Sequence, residues 1–221
     1  MITDLATVHL VDDDASALTS VARLLRAAGF PVKMYSSAEA FLAEVDSGVH
    51  GCVVTDLEMP TMNGIELQER LARAGERLPV VFLTGRGDIP TSVKAMRRGA
   101  EDFVTKTAPK EVLLSAVRRA LDRFAQENRL RLEDRDLEAR FARLTPRDRE
   151  VLLHVLRGQL NKEIAAELGV DERSVKRHRS SLMRKLEVGS VVELALVAQR
   201  AGLAQDLPRR NGGGSGDRSP D

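Results

Sequence analysis

Acidic side chains follow two of the short apolar segments in the N-terminal part of the sequence. Asp12, Asp13 and Asp14 come directly after one segment, and Asp56 closes another. If both segments are parallel strands, these carboxylates converge above one edge of the sheet, where they repel one another. A divalent cation with oxygen ligands relieves that repulsion, and Mg²⁺ suits a site with few carboxylates and a phosphate. The pattern therefore predicts a magnesium site at this edge.

Two further apolar segments end in residues that fit the same chemistry. Thr84 offers a hydroxyl group and Lys106 a fixed positive charge. A metal ion and an ammonium group neutralise the charge on the oxygens of a phosphoryl group during its transfer to a carboxylate. The set therefore favours phosphoryl transfer onto one of the carboxylates. Asp14 has an alternative role, because an aspartate just before a helix commonly caps it.

A metal-dependent phosphohydrolase that forms an aspartyl-phosphate would use the same side chains. Such an enzyme also needs a substrate cap or a separate general acid, and the sequence places neither beside Asp56. We therefore expect no enzyme activity beyond slow self-phosphorylation and self-dephosphorylation. Turnover of small phosphates would favour the enzyme instead.

The elements that hold these residues alternate between apolar segments and amphipathic helical segments. This alternation predicts βαβ units and a five-stranded parallel sheet with helices on both faces, which is a doubly wound α/β fold. Ligands of such sheets bind outside the carboxyl ends of the strands, where the acidic residues lie. The predicted strands are Val8–Val11, Val32–Tyr35, Cys52–Thr55, Val80–Leu83 and Asp102–Thr105, and the predicted helices are Ala17–Ala28, Ala38–Val45, Asn63–Ala74, Thr91–Arg98 and one from Glu111 onward.

The remainder of the sequence is helical in pattern up to a glycine-rich tail. Thr145, Pro146 and Asp148 predict the start of one of these helices, as the cap, the first-turn proline and the acid three residues after the cap. Neither Gly nor Pro interrupts the stretch from Leu113 to Phe141, so one long helix can leave the first domain, either to dimerise or to serve as a solvated connector. The tail cannot bury a core and is expected to be disordered. The predicted divisions are 1–122 for the first domain, 123–143 for the helical linker, 144–203 for an all-α domain and 204–221 for the tail.

A helix-turn-helix pattern lies within the all-α domain. Asn161–Leu168 predicts a short helix, Gly169 and Val170 predict a turn, and Asp171 predicts the cap of a second helix that ends near Leu186. Six cations and no acidic residue lie between Arg173 and Lys185 on the second helix, and double-stranded DNA is their natural counter-charge. These cations are Arg173, Lys176, Arg177, Arg179, Arg184 and Lys185.

Composition narrows the class of protein further. No apolar run approaches the ~18 residues that a membrane-spanning helix needs, and the N-terminus lacks the basic start of a signal peptide. We therefore expect no membrane association and a location in the cytoplasm. The single cysteine, Cys52, is expected to be a small buried strand residue, and a redox-sensing role is the alternative.

The first domain resembles the receiver domain of two-component response regulators, most closely the FixJ-like branch. The resemblance covers about residues 5–122 and rests on the segments VHLVDDD, VVTDLEMPTMNG, VVFLTGRGD and GAEDFVTK. It implies a flavodoxin-like fold with Asp56 as the phosphoacceptor. The implied Mg²⁺ ligands are Asp12, Asp13, Asp56 and the backbone carbonyl group of Glu58. The implied phosphoryl contacts are Thr84 and Lys106, and Phe103 would be either the aromatic switch or an ordinary core residue.

The second domain resembles the LuxR-type helix-turn-helix domain of FixJ/NarL response regulators over about residues 144–203. The resemblance rests on the segment LTPRDREVLLHVLRGQLNKEIAAELGVDERSVKRHRSSLMRKL. It places Lys176, Arg177 and Ser180 toward base edges in the major groove. It places a second group nearer the phosphates, namely Asn161, Ser174, His178, Arg179 and Lys185.

One departure from the receiver pattern affects the phosphoryl site. Thr107 follows Lys106 where the family has a proline, usually after a cis bond. A cis bond before another residue costs about 2.5 to 4 kcal/mol, so we expect a trans bond and a different direction for Lys106. The site is still expected to work. Glu58 and Arg86 are predicted to border the pocket mouth, either as a gate against water or as a weak exposed ion pair.

Together the resemblances imply a transcription factor. A sensor histidine kinase would phosphorylate Asp56, and the phosphoprotein would form a homodimer that binds specific double-stranded DNA, with a pairing surface around Thr91–Arg98 and the fifth strand. RNA polymerase is a further candidate partner. DNA binding that does not depend on phosphorylation is the alternative, and the Lys106–Thr107 departure is its main support.

Overall fold

The computed structural model describes residues 6–45, 48–85, 93 and 95–203. The chain divides into two compact units, Met1–Arg129 and Leu130–Asp221. This division lies inside the predicted linker. Among the helices that the structure describes, none is both long and apolar enough to cross a lipid bilayer.

A five-stranded parallel sheet forms the centre of the first unit, in the order β2-β1-β3-β4-β5. Each predicted strand is confirmed to within one residue at either end. The chain order reverses between β1 and β3, which is the topological switch point of a doubly wound sheet. The strands are β1 (Thr7–Val11), β2 (Val32–Tyr35), β3 (Gly51–Thr55), β4 (Val80–Thr84) and β5 (Asp102–Thr105).

Helices cover both faces of this sheet. Alternate strand residues point to opposite faces, so Val8 and Leu10 pack in one hydrophobic cluster and Val11 in the other. The helices are α1 (Ala15–Ala27), α2 (Ala38–Val45), α3 (Gly64–Arg73) and α4 (Lys110–Ala142). The first cluster contains α1 and the start of α4, and the second contains α2 and α3. The predicted doubly wound fold is therefore confirmed.

The predicted fourth helix, Thr91–Arg98, lies partly outside the described residues. Of that range only 93 and 95–98 are described, and 93 and 95–97 are helical. The predicted long helix is present, because α4 continues as one helix of 33 residues to Ala142. Its role as a linker stays a prediction.

The second unit is helical. Beyond the end of α4 it contains α5 (Pro146–Leu156), α6 (Asn161–Leu168), α7 (Glu172–Leu186) and α8 (Val191–Arg200). Their apolar sides form one core that includes Val151, Ile164, Leu182 and Leu194. Thr145 caps α5 through a capping box with Asp148, as the sequence predicts. The predicted tail, 204–221, lies outside the described residues.

Candidate functional site

Asp12 and Asp56 lie side by side because the strands that precede them are neighbours. Val11 at the end of β1 pairs with Thr55 at the end of β3. The Asp56 amide then donates a hydrogen bond of 2.9 Å to the Val11 carbonyl oxygen, which continues the ladder by one residue. Both side chains therefore leave the sheet at the switch point, the place where ligands of such sheets bind.

Three carboxylates gather at this point. Oxygen atoms of Asp12, Asp13 and Asp56 all lie within 4.8 Å of one another. Asp12 and Asp56 are buried, whereas Asp13 is exposed at the rim. Burial raises the pKa of Asp12 above its ordinary value of 3.8, and hydrogen bonds from Lys106 and the Asp14 amide offset only part of that. A set of hard oxygen ligands with one open side fits Mg²⁺.

Lys106 connects the two buried carboxylates. Its Nζ atom lies 2.6 Å from Asp12 Oδ2 and 2.7 Å from Asp56 Oδ2. Burial lowers the pKa of Lys106, but the hydrogen bonds to Asp12 and Asp56 outweigh it, so the pKa lies above its ordinary value. The Lys106–Thr107 bond is trans, as predicted, since the described residues contain no cis peptide bond. The change of residue at position 107 therefore does not keep Lys106 out of the pocket.

The loop after β3 fixes the Asp56 carboxylate. Asp56 Oδ1 accepts hydrogen bonds from the Leu57 amide at 2.6 Å and the Glu58 amide at 3.3 Å. Gly64, the first residue of α3, packs against this loop. A Cβ atom at Gly64 would lie 2.4 Å from the Asp56 carbonyl oxygen, so the close approach of α3 requires glycine.

The remaining predicted residues of this site have different environments. Thr84 is buried at the end of β4, and Phe103 is half-buried beside Phe82, with 6.3 Å between ring centroids.

Asp14 caps α1 by accepting hydrogen bonds from Ser16 and Ala17, which confirms its alternative role. Glu58 is exposed, while Arg86 lies outside the described residues. The predicted Glu58–Arg86 gate therefore stays a prediction.

Cys52 is the second residue of β3 and is completely buried. Burial raises the pKa of its thiol to about 12. Because the thiolate is the reactive form, both observations argue against a redox-sensing role for Cys52.

The helix-turn-helix elements match their predicted bounds. Gly169 ends α6 in the left-handed conformation with φ 65°, where glycine carries no steric cost. Asp171 caps α7 by accepting a hydrogen bond of 2.8 Å from the Ser174 amide. The Ser174 hydroxyl group, predicted to contact a DNA phosphate, also donates a hydrogen bond to the Asp171 carboxylate.

The predicted base-reading and phosphate-binding residues differ in exposure. Lys176, Arg177 and Ser180 are exposed on α7. Arg179 is half-buried and donates a hydrogen bond of 2.8 Å to Asn161 Oδ1, which links the two helices of the motif. Within the part of the chain that the structure describes, the side chains of these three predicted base-reading residues form no hydrogen bond or ion pair.

Asp148 contacts two of the predicted phosphate-binding residues. The Asp148 carboxylate is almost completely buried and lies 2.6 Å from Lys185 Nζ and 2.9 Å from His178 Nδ1. Burial raises the pKa of Asp148, but hydrogen bonds from Lys185, His178 and the Thr145 amide outweigh it and hold the pKa well below its ordinary value. The sequence identified Asp148 only as part of a helix cap. Its buried position, beside His178 and Lys185, which are 30 and 37 residues away in sequence, is visible only in the fold.

Two protein families match the chain. Residues 8–118 match the response regulator receiver domain, and residues 142–198 match the luxR family of bacterial regulatory proteins. Neither is an enzyme family. The first match contains the acidic site and the second contains the helix-turn-helix motif.

Similar proteins carry both regions. The response regulator protein TmoT of Ectopseudomonas mendocina is 42% identical over 195 residues, which are 88% of this chain and 89% of TmoT. The transcriptional regulatory protein FixJ of Rhizobium meliloti is 39% identical over 196 residues, 89% of this chain and 96% of FixJ. The structure of the response regulator StyR matches with a TM-score of 0.83 and 42% identity, over 88% of this chain and 98% of StyR. The chain therefore belongs to the response regulators of two-component systems, with a receiver domain followed by a LuxR-type DNA-binding domain.

Proposed function

We propose that a cognate sensor histidine kinase phosphorylates Asp56 and that the phosphoprotein dimerises and binds specific DNA to regulate transcription. The observation that carries this proposal is the convergence of Asp12, Asp13 and Asp56 within 4.8 Å, with Lys106 on two of the three carboxylates. Contact with the chromosome favours the cytoplasm as its location, and RNA polymerase is a further candidate partner.

The receiver would hold Mg²⁺ through Asp12, Asp13, Asp56 and the Glu58 carbonyl group. When bound, the ion supplies positive charge next to the phosphoryl oxygens. An oxygen of Asp56 attacks the phosphorus of the kinase's phosphohistidine, so that a P–O bond forms and the P–N bond breaks. The electron pair of the broken bond returns to the imidazole nitrogen. Slow self-phosphorylation from small phosphate donors and slow self-dephosphorylation would follow the same geometry.

Lys106 and Thr84 would contact the phosphoryl group after transfer. Lys106 Nζ already lies 2.7 Å from Asp56 Oδ2, and Thr84 ends the adjacent strand β4. Movement of the Thr84 hydroxyl toward the phosphate would let the half-buried Phe103 ring turn inward. Phosphorylation would thereby shift the receiver between two conformations of differing dimer affinity.

Exposed apolar side chains support a homodimer. Val93 and Met96, in the predicted pairing surface, are 43% and 46% exposed. Val192 and Leu196, one turn apart on α8, are 71% and 61% exposed. A second copy of the chain would cover such surfaces and would pair two DNA-binding domains on a two-fold-related site. A dimerising role for α4 and a connecting role both stay open.

The exposed side chains of α7 would read the DNA. We assign Lys176, Arg177 and Ser180 to base edges, and a second group to phosphates, namely Asn161, Ser174, His178, Arg179 and Lys185. Arg177→Ala should weaken binding to cognate DNA by about 1 to 3 kcal/mol and binding to random DNA much less, as for a good base contact. Arg179→Ala should weaken both equally. An equal loss in the Arg177 variant would reassign Arg177 to phosphates.

The proposal is tested by comparing the wild type, Asp56→Asn and the matched control Asp122→Asn, whose aspartate is exposed. Acetyl phosphate with Mg²⁺ should label the wild type and the control but not Asp56→Asn. Beryllofluoride should increase dimer formation in size-exclusion chromatography and DNA retention in a gel shift, again only in the first two. If Asp56→Asn binds DNA as the activated wild type does, binding does not depend on phosphorylation.

A further inference from the structure

The last turns of α4 are part of the DNA-binding unit. Leu137 is buried, and Phe141 packs against the hydrophobic core formed by Leu144, Leu152 and Leu186. The Phe141 carbonyl oxygen also accepts a hydrogen bond of 3.3 Å from Arg149 Nη2 on α5. Residues 130–142 therefore do more than connect, because their side chains meet the elements that carry the helix-turn-helix motif.

Arg140 on this part of α4 reaches the C-terminal end of α7. Its Nη1 atom donates a hydrogen bond of 3.4 Å to the carbonyl oxygen of Leu186, the last residue of α7. Its Nη2 atom lies 3.0 Å from Glu187 Oε2 and 2.7 Å from Asp136 Oδ2. A cation at this end of a helix also interacts favourably with the helix dipole.

Glu187 gives this contact its importance. It ends α7 in the left-handed conformation with φ 57° and is the one non-glycine residue with positive φ among the residues described. That conformation is unfavourable for residues with a Cβ atom and persists only where neighbours hold it. Among the described residues, Arg140 is the one whose side chain forms an ion pair with Glu187. Arg140 therefore stabilises the chain at the point where α7 stops.

We infer that Arg140 is a positioning residue for DNA recognition: by holding Leu186 and Glu187 it fixes the orientation of α7, and thereby the placement of Lys176 and Arg177. A bidentate base contact tolerates errors of only about 0.5 Å or 10–20°. Asp171 fixes the N-terminal end of α7, and Arg140 fixes the other end. This inference rests on the proposed base contacts of Lys176 and Arg177.

The test compares full-length Arg140→Ala with Arg135→Ala, which removes the same charge from an exposed position of the same helix. Each variant is treated with beryllofluoride and titrated, at several salt concentrations, with the duplex that the wild type enriches from a random pool and with a scrambled duplex. Arg140→Ala should lower affinity for the enriched duplex about fivefold to tenfold, which is the low end of the loss that one mismatched base pair causes. Its affinity for the scrambled duplex and its salt dependence should match those of the wild type. Arg135→Ala should bind both duplexes with the affinity of the wild type.

Three results would overturn the inference. An equal loss on both duplexes with a shallower salt dependence would show that Arg140 contacts phosphates itself. A loss that vanishes well below the unfolding temperature would show that only stability changed. Adding Glu187→Gly to Arg140→Ala should restore specific binding, because glycine adopts the left-handed conformation freely, and no recovery would show that Arg140 does not act through Glu187. A wild type without preference for the enriched duplex would instead refute the proposed base contacts.

Discussion

Replacing Asp148 with asparagine should destabilise the DNA-binding unit through a loss of charge at nearly constant shape. The Asp148 side chain is 2% exposed, and its partners Lys185 and His178 are each 25% exposed. Removing one partner of a buried ion pair typically costs about 3 to 5 kcal/mol. Asparagine still accepts one hydrogen bond and Lys185 can extend toward solvent, so we expect a loss of about 2 to 3 kcal/mol. That is a large share of the stability of a small domain, about 5 to 15 kcal/mol.

The same variant should lose a pH dependence. The pKa of Asp148 in the folded unit lies below its ordinary value of 3.8. As the pH falls toward 3.8 and below, the unfolded chain therefore takes up the proton first. The stabilisation is present above that pH and is lost as the pH falls toward the folded pKa. Asp148→Asn has no such group, so its free energy of unfolding should change less over this range.

Urea unfolding can be measured in this unit alone when it is monitored by hydrogen exchange and mass spectrometry. The chain has no tryptophan and a single tyrosine, Tyr35, which lies in the first unit, so peptides from α5 and α7 are the better probe. Asp171→Asn is the matched control, because Asp171 is exposed and asparagine caps helices equally well. If Asp148→Asn loses no more stability than this control, the Asp148 network does not stabilise the unit.

Three further predictions concern the receiver. Burial lowers the pKa of His9 below its ordinary value of 6.5, so the unfolded chain binds the proton first as the pH falls through 6.5. The first unit should therefore lose stability over this pH range. Urea titrations of His9→Phe should show a smaller loss of stability over the same range. Gly64→Ala should slow phosphate uptake from acetyl phosphate about tenfold to a hundredfold, because the added Cβ displaces the Asp56 loop, whereas Gly189→Ala should not; equal uptake rates would contradict this. EDTA should abolish that uptake and added Mg²⁺ should restore it, and labelling in EDTA would rule out a metal requirement.

The sheet and the acidic site could be predicted because their determinants are local in sequence. Apolar runs such as Val80–Leu83 are bounded by turn residues, so the strand ends are well defined. Parallel pairing then brings residues that follow different strands to one edge, which is why Asp12 and Asp56 could be placed together. The helix starts at Thr145 and Asp171 were equally clear, since a cap depends only on the next three residues.

Contacts between distant helices could not be predicted in the same way. The spacing of residues along α7 shows that His178 and Lys185 share a face, but not that a buried carboxylate, Asp148, lies under part of it. The contact of Arg140 with the end of α7 could not be predicted for the same reason, because neither segment contains a sequence feature that identifies the other as its partner. For Lys106 the departure at Thr107 suggested a change of direction. Its long side chain nevertheless reaches both carboxylates from a trans loop.

The burial of the only cysteine makes this protein convenient for spectroscopic labelling. The Cys52 thiol is inaccessible in the folded chain, so a maleimide fluorophore or nitroxide added to native protein should react at an introduced surface cysteine and spare β3. Pairs of such labels, one in each unit, would allow distances to be followed in solution as beryllofluoride is added. The natural sequence can thus serve as the background, without a substitution in the centre of the sheet.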